Sequence, residues 1–168
     1  MQWTIIRPPA VYGPGDKEML PIFRTMAKGI APVPGDVSAR TSLIHVDDLA
    51  AATIRCLVTD TISGQIFQLH DGRVGGYDWA EMAAIAAQVY GRPVRLWPVP
   101  RLLLNTIAAT NLRLAKLSGR APMLTPPKLR ELRHPDWVAD NSAISAAIGW
   151  SPHIELQQGL QALQKSAF

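Results

Sequence analysis

The sequence has a single cysteine, Cys56, in 168 residues, which excludes an internal disulfide framework and suits a reducing compartment. It has no long apolar run. Its most apolar stretch, VPRLLLNTIAATNLRLAKL, is interrupted by Arg101, Asn105, Asn111 and Arg113, too polar for a membrane span. Met1 is followed by neither a basic segment nor a cleavage-site pattern, so a secretory signal is not expected. Aromatic residues make up only 7%, and charge is modest at 18% with a net of +4 and a pI near 9.6. That mild excess of base suits anionic ligands without defining a nucleic-acid binder. His70, His134 and His153 have no partner at ligand spacing, and no metal site is expected. A hydrophobic fraction of 48% argues for a folded domain rather than disorder.

Trp3 to Ile6 is a β-branched apolar run that reads as a buried strand. Arg7-Pro8-Pro9 stops it, because two prolines cannot donate to a ladder. Tyr12-Gly13-Pro14-Gly15-Asp16 is turn chemistry. A helix is predicted from Met19 to Lys28, stopped by Gly29, then a loop from Pro32 to Arg40 and a strand from Leu43 to Val46. Asp47 or Asp48 then caps a helix with Leu49, Ala52 and Cys56 on its apolar face and Leu57 alongside. In that setting Cys56 is a buried, inert thiol. His45, Asp47 and Asp48 are spaced like a ligand set, but the strand-to-helix junction gives them a structural role.

Gln65 to Leu69 suits another strand, followed by turns at Asp71-Gly72 and Gly75-Gly76. Asp78-Trp79-Ala80-Glu81 is a capping-box pattern. It opens a helix with the stripe Met82, Ile85, Ala86, Val89, closed by Gly91. Val94 to Trp97 reads as a short strand. Leu103, Ile107, Thr110, Leu114 and Leu117, spaced 4, 3, 4 and 3, predict an amphipathic helix with Arg101, Asn105 and Lys116 on its other side. A short helix (Ile144, Ala147, Ile148) follows Asp140 and stops at Gly149, and Leu156, Leu160 and Leu163 stripe a last one. Trp97, Trp137 and Trp150 read as core anchors. Arg113, Lys116, Arg120, Lys128, Arg130 and Arg133 flank Pro122, Pro126 and Pro127. They read as a solvated face; a nucleic-acid or anionic-lipid surface is the alternative, with no aromatic platform before Trp137. Short strands alternate with helices early and helices dominate later, which is an α/β region followed by a helical lobe.

IIRPPAVYGPGD (Ile5 to Asp16), SLIHVDDLAAA (Ser42 to Ala52) and IGWSPHIELQQGL (Ile148 to Leu160), in that order, resemble the C-terminal half of an extended short-chain dehydrogenase/reductase, the NAD(P)-dependent epimerase/dehydratase group. In that family the sixth Rossmann strand ends in an R-P-x-x-V-Y-G-P loop and a V-D-D segment starts a helix. A later strand ends in a D-G turn, matched here by FQLHDG, and G-W-x-P precedes the last helix. The resemblance covers nearly the whole chain. It implies an incomplete Rossmann-type parallel sheet, formed by the last strands, plus a mostly helical C-terminal lobe. Residues 1–76 would be the end of the Rossmann-like α/β domain with interleaved lobe segments, and 77–168 the substrate-binding lobe.

The family's Gly-rich turn and its Tyr-x-x-x-Lys acid/base pair are not found: four residues after Tyr12, Tyr77 and Tyr90 stand Asp16, Glu81 and Val94. No catalytic residue is therefore assigned. The resemblance implies that Pro8, Pro9, Ala10 and Val11 lie along the nicotinamide of NAD or NADP in a longer protein, with none expected tightly bound to this chain alone. Such a truncation would be natural, a split product or a mis-assigned start. Nucleotide-sugar members carry Asn at the position of Ala10, and Arg at that of Thr41. Arg40 is one residue early, and a one-residue slip on a strand turns a side chain to the other face. Arg40 remains the substrate-binding candidate, reaching an anion only if the preceding loop bulges. These departures tilt the implied substrate from a nucleotide sugar towards a steroid-like or other hydroxy/keto compound. The expected setting is the cytoplasm, with a small-molecule substrate and neither nucleic acid nor membrane as partner. A homo-oligomer, or a missing N-terminal half, would cover the apolar edge of Trp3 to Ile6. A non-catalytic module that self-associates there is the alternative function.

Overall fold

The computed structural model describes residues 2–118, 125, 127, 129, 130 and 134–167. β1 (Thr4–Arg7) is followed by β2 (Ala10–Tyr12), α1 (Leu20–Ala27), β3 (Ile30–Val33), β4 (Arg40–Thr41) and β5 (Leu43–His45). Then come α2 (Val46–Leu57), a 3-10 turn (Asp60–Ile62), β6 (Gln65–Gln68), α3 (Trp79–Tyr90) and β7 (Arg95–Pro98). α4 (Arg101–Ser118), β8 (Asp136–Trp137), α5 (Ser142–Ile148) and α6 (Leu156–Ala167) complete the order. The strands form four two-stranded parallel ladders, β1 with β6, β2 with β5, β3 with β7 and β4 with β8. Parallel pairing needs crossover connections, so each strand meets a partner far along the chain.

β5 lies at the centre of the packing. Successive strand residues face opposite ways: Leu43 packs with Tyr12, Phe23, Met26, Met82 and Leu160, whereas Ile44 packs with Phe67, Leu69, Ile144 and Trp150. A strand covered on both faces is the usual condition of parallel sheet. α6 presents Leu156, Leu160 and Leu163 to the first of these clusters, all essentially inaccessible. Each such leucine contributes roughly 1.5–3 kcal/mol. α3 is fixed at both ends. Asp78 accepts from the Glu81 N–H at 2.7 Å while Glu81 accepts from the Asp78 N–H at 3.1 Å, and Gly91 closes the helix in the left-handed region. The predicted capping box is present in full.

Several expectations are corrected by tertiary context. The loop expected from Pro32 begins later, because β3 runs through Pro32 to Val33 against β7; proline is tolerated at a sheet edge. α2 is capped by His45, whose Nδ1 accepts from the Asp47 N–H at 3.3 Å. Asp48 instead turns inward to accept from the His153 and Ile154 N–H groups at 2.9–3.1 Å. Leu57 is exposed, as are Trp97 and Trp137, and of the three expected anchors only Trp150 is buried. Among the described side chains of α4, Leu104 and Ala108 are buried and pack with Leu129 and Val99, while Leu103 and Ile107 face outward. Leu114 and Leu117 have side chains outside the described residues.

β1 is half covered. Ile6 packs inward, but Trp3, Ile5 and Ile66, the cross-strand partner of Ile5, stay more than 40% exposed. The Gly64 N–H donates to the Trp3 carbonyl at 2.7 Å, tying the strand start to the turn before β6. Beside β1 and α2 an open cleft of about 290 Å³ is lined by Trp3, Ile6, Cys56 and Leu57 among others. Burial raises the Cys56 thiol pKa, as befits an unreactive thiol.

Candidate functional site

The Arg7–Asp16 stretch joins the ends of two parallel strands. β1 stops at Arg7, the two prolines carry the chain over, and Ala10–Tyr12 then pairs with Leu43–His45. Pro8 is exposed, and Pro9, Ala10 and Val11 are half-buried. Ala10 packs on one core cluster and Val11 on the other, so both side chains are structural, and what this segment can offer a ligand is its stiff main chain and Pro8. Gly13 (φ +138°) makes the turn after it. A β-carbon there would lie 2.6 Å from Val46 Cγ1 and 3.1 Å from His45 Nε2, so glycine is required.

Beneath this loop lies a buried polar cluster that the sequence did not announce. Tyr12 and His45, register partners on β2 and β5, meet edge to face with centroids 5.3 Å apart. The Tyr12 hydroxyl and His45 Nε2 are both buried without a protein hydrogen-bond partner. The Tyr77 hydroxyl donates to Asp71 Oδ2 at 2.7 Å. Burial lifts the Asp71 carboxyl to about 6, against the pull of the Tyr77 hydroxyl and the Arg73 N–H. Burial, with Asp71 nearby, pushes the Tyr12 and Tyr77 hydroxyls well above the ordinary tyrosine range. A tyrosine acting as acid/base near neutrality needs the opposite shift, so neither substitutes for a Tyr-x-x-x-Lys pair.

Arg40 sits elsewhere. On β4 its N–H donates to the Pro135 carbonyl at 2.9 Å. Its guanidinium lies against Gly75, where an added β-carbon would collide with Nη2. The side chain is exposed beside the Gly75-Gly76 turn, and its described contacts are with that turn and β8 rather than with Pro8–Val11. Among the described residues no group of three or more His, Cys, Asp or Glu could hold a metal.

A dinucleotide needs a phosphate cradle, typically a glycine turn at a free helix N-terminus. Here the chain's own acids take N–H groups at or before the starts of α1, α3, α5 and α6, whereas α2 is capped by His45 and α4 has no acid in its first turn. Asp16 accepts from the Glu18, Met19 and Leu20 N–H groups before α1. Asp47 and Asp48 stand in the first turn of α2, and Asp78 and Glu81 cap α3. Asp140 holds the Ser142 N–H of α5, and Asp48 holds the two N–H groups leading to α6. Among the described residues, no glycine turn meets a helix N-terminus left free of the chain's own side chains.

Parallel ladders wrapped by helices, with a proline loop at a strand's C-terminal end, are those of a Rossmann-type α/β unit. Residues 1–69 match the model of the NAD dependent epimerase/dehydratase family. It is 34% identical over 145 residues to a ceramide reductase of Caulobacter vibrioides, covering 86% of this chain and 45% of that protein. It is 28% identical over 164 residues to a UDP-glucose 4-epimerase of Vibrio cholerae, covering 96% and 45%. Among solved structures, RMD from Pseudomonas aeruginosa complexed with NADPH has a TM-score of 0.65 at 17% identity, covering 96% of this chain and 46% of that one. The UDP-glucose 4-epimerase of Thermotoga maritima with UDP-glucose has 0.66 at 16%, covering 96% and 44%. These two share the fold. The chain spans about 45% of the length of the curated relatives it matches.

Proposed function

We propose that this chain is the C-terminal portion of an NAD(P)-dependent oxidoreductase or epimerase of the extended short-chain dehydrogenase type. The observation that carries this reading is the division of labour in the site: a stiff loop at the end of a parallel strand, no phosphate cradle and no activated tyrosine. The Gly-rich turn and Tyr-x-x-x-Lys pair then belong to the rest of the protein, and this chain alone is inactive. Pro8, Pro9, Ala10 and Val11 line the nicotinamide side, and the bound cofactor supplies hydride transfer at a carbinol or keto carbon. Ala10 and Thr41, standing where nucleotide-sugar enzymes carry Asn and Arg, favour a less anionic hydroxy/keto substrate. The ceramide reductase relative supports the same choice. Arg40, exposed beside Gly75, is the cation available to a polar group of that substrate.

A chimera tests this reading. The first part of the Caulobacter vibrioides ceramide reductase is joined to this chain at the start of β1 and assayed for the parent's reductase activity. Activity in the chimera, with none in the 168-residue chain and no tight NADH or NADPH binding by titration calorimetry, is the expected result. Cofactor-dependent turnover by the chain alone would sink the proposal. A second reading, self-association through β1, is favoured by its open edge and by exposed Trp3, Ile5 and Ile66. A dilution-resistant monomer in light scattering would remove it.

A further inference from the structure

We propose that the outer face of α4, with the adjoining face of β7, docks this protein peripherally on an anionic lipid bilayer. The sequence predicts an apolar stripe through Leu103 and Ile107 on this helix, but the fold buries its neighbours Leu104 and Ala108 instead. Leu104 and Ala108 pack against Val99 and Leu129. Leu102, Leu103 and Ile107 are left 79%, 42% and 39% exposed. Arg95 and Trp97, alternate residues of β7 and so on one face of it, are exposed just ahead of the helix.

Charge identifies the occupant. Residues 92–135 contain nine Lys and Arg against one acid, Glu131. The segment's net charge is thus +8 in a chain of net +4, leaving −4 for everything else. Arg95 and Arg101 are exposed beside the apolar residues, and Arg130 is exposed next to Leu129 at the base of α4. A helix that is apolar outward, rimmed by arginines and accompanied by an exposed tryptophan has the composition of an element lying in a lipid interface. A second copy of the chain would bring like charges together over the same area. No described helix is long and apolar enough to cross a membrane, and lying on a surface requires none. The sequence alone suggests a solvated face here and no membrane partner; the exposed Leu102, Leu103 and Ile107 beside Arg101 favour a lipid surface instead. The proposal is independent of the catalytic reading.

Vesicle co-sedimentation of the 168-residue chain tests it. Binding is expected to vesicles of phosphatidylcholine mixed with phosphatidylglycerol, not to phosphatidylcholine alone, and to weaken as salt is raised. Each basic residue near an anionic surface contributes about fivefold, so Arg95→Glu with Arg101→Glu lowers partitioning on the order of tenfold or more. Leu103→Gln with Ile107→Gln also lowers it, whereas Ile5→Gln with Ile66→Gln, on the β1–β6 face, leaves it unchanged. All these positions are exposed, and thermal unfolding verifies each fold; Arg95→Gln with Arg101→Gln is the milder pair if the Glu pair unfolds. Equal binding to neutral vesicles, no binding, or binding undiminished by both α4-side pairs overturns the proposal. So does a dimer abolished by Leu103→Gln with Ile107→Gln, or RNA that binds through the same arginines while vesicles do not.

Discussion

Gly159→Ala sets two effects of similar size against each other inside α6. Gly159 has an ordinary helical φ, so on propensity alone alanine would stabilise the helix by about 1 kcal/mol. The neighbour decides the sign. A β-carbon at 159 would lie 2.5 Å from the Tyr12 hydroxyl oxygen and 2.8 Å from Cζ, and closer still to Cε2. Tyr12 cannot swing aside: it is fully buried, edge to face with Phe23 at 5.8 Å and His45 at 5.3 Å. Overpacking of this kind costs about 1–3 kcal/mol, occasionally more, and here it also strains β2 against β5. With the ring held on every side the cost falls at the upper end, about 3 kcal/mol, so the net destabilisation expected is about 2 kcal/mol, a fall in Tm of roughly 4–8 °C for a chain of this size. Urea unfolding followed by tryptophan fluorescence and thermal melts by circular dichroism measure it. Tyr12→Leu should absorb much of the penalty, giving a coupling of about 1 kcal/mol or more in the double-mutant cycle. A Gly159→Ala protein as stable as its parent would refute the claim that this glycine is the seat of the Tyr12 ring.

Asp48→Ala leaves the His153 and Ile154 N–H groups without their acceptor. With buried charge-assisted bonds worth roughly 1.5–3 kcal/mol each, a loss of about 3–5 kcal/mol in urea unfolding is expected. The folded-state pKa of Asp71 is raised to about 6, so the fold holds this proton more tightly than the unfolded chain does. Its contribution should be fully present below about pH 4 and be lost, by roughly 2–3 kcal/mol in all, as pH rises through about 6. Asp71→Asn should remove that slope in unfolding titrations across the same range. Asp78→Ala removes one half of the α3 capping box and should cost about 1 kcal/mol by thermal melt.

Features set by neighbours in sequence were legible without coordinates. The capping box of α3 needs only Asp78 and Glu81, and the α6 stripe only a period of three and four. Features set by distant partners were not. Which stripe of α4 is buried depends on Val99 and Leu129, and whether Pro32 ends or continues a strand depends on β7. Asp48 had the chemistry of a cap, and was one, but for residues more than a hundred positions away. At the site, the loop Pro8–Val11 could be picked out by resemblance. The raised tyrosines and the inward turn of Asp48 to the N–H groups before α6 could not, because they follow from burial and from which N–H groups an acid meets in the fold.

All four ladders among the described residues run parallel, joining Thr4 to Gln65, Ala10 to Leu43, Ile30 to Arg95 and Arg40 to Asp136. None can zip up from a tight turn. Each must close a loop of more than thirty residues before its first bond forms, at an entropic cost that precedes any reward. Such high contact order makes for slow folding. During synthesis Trp3 and Ile5 leave the ribosome about 60 residues ahead of β6 and stay unpaired until it follows. That interval is the one in which this segment most needs protection from association.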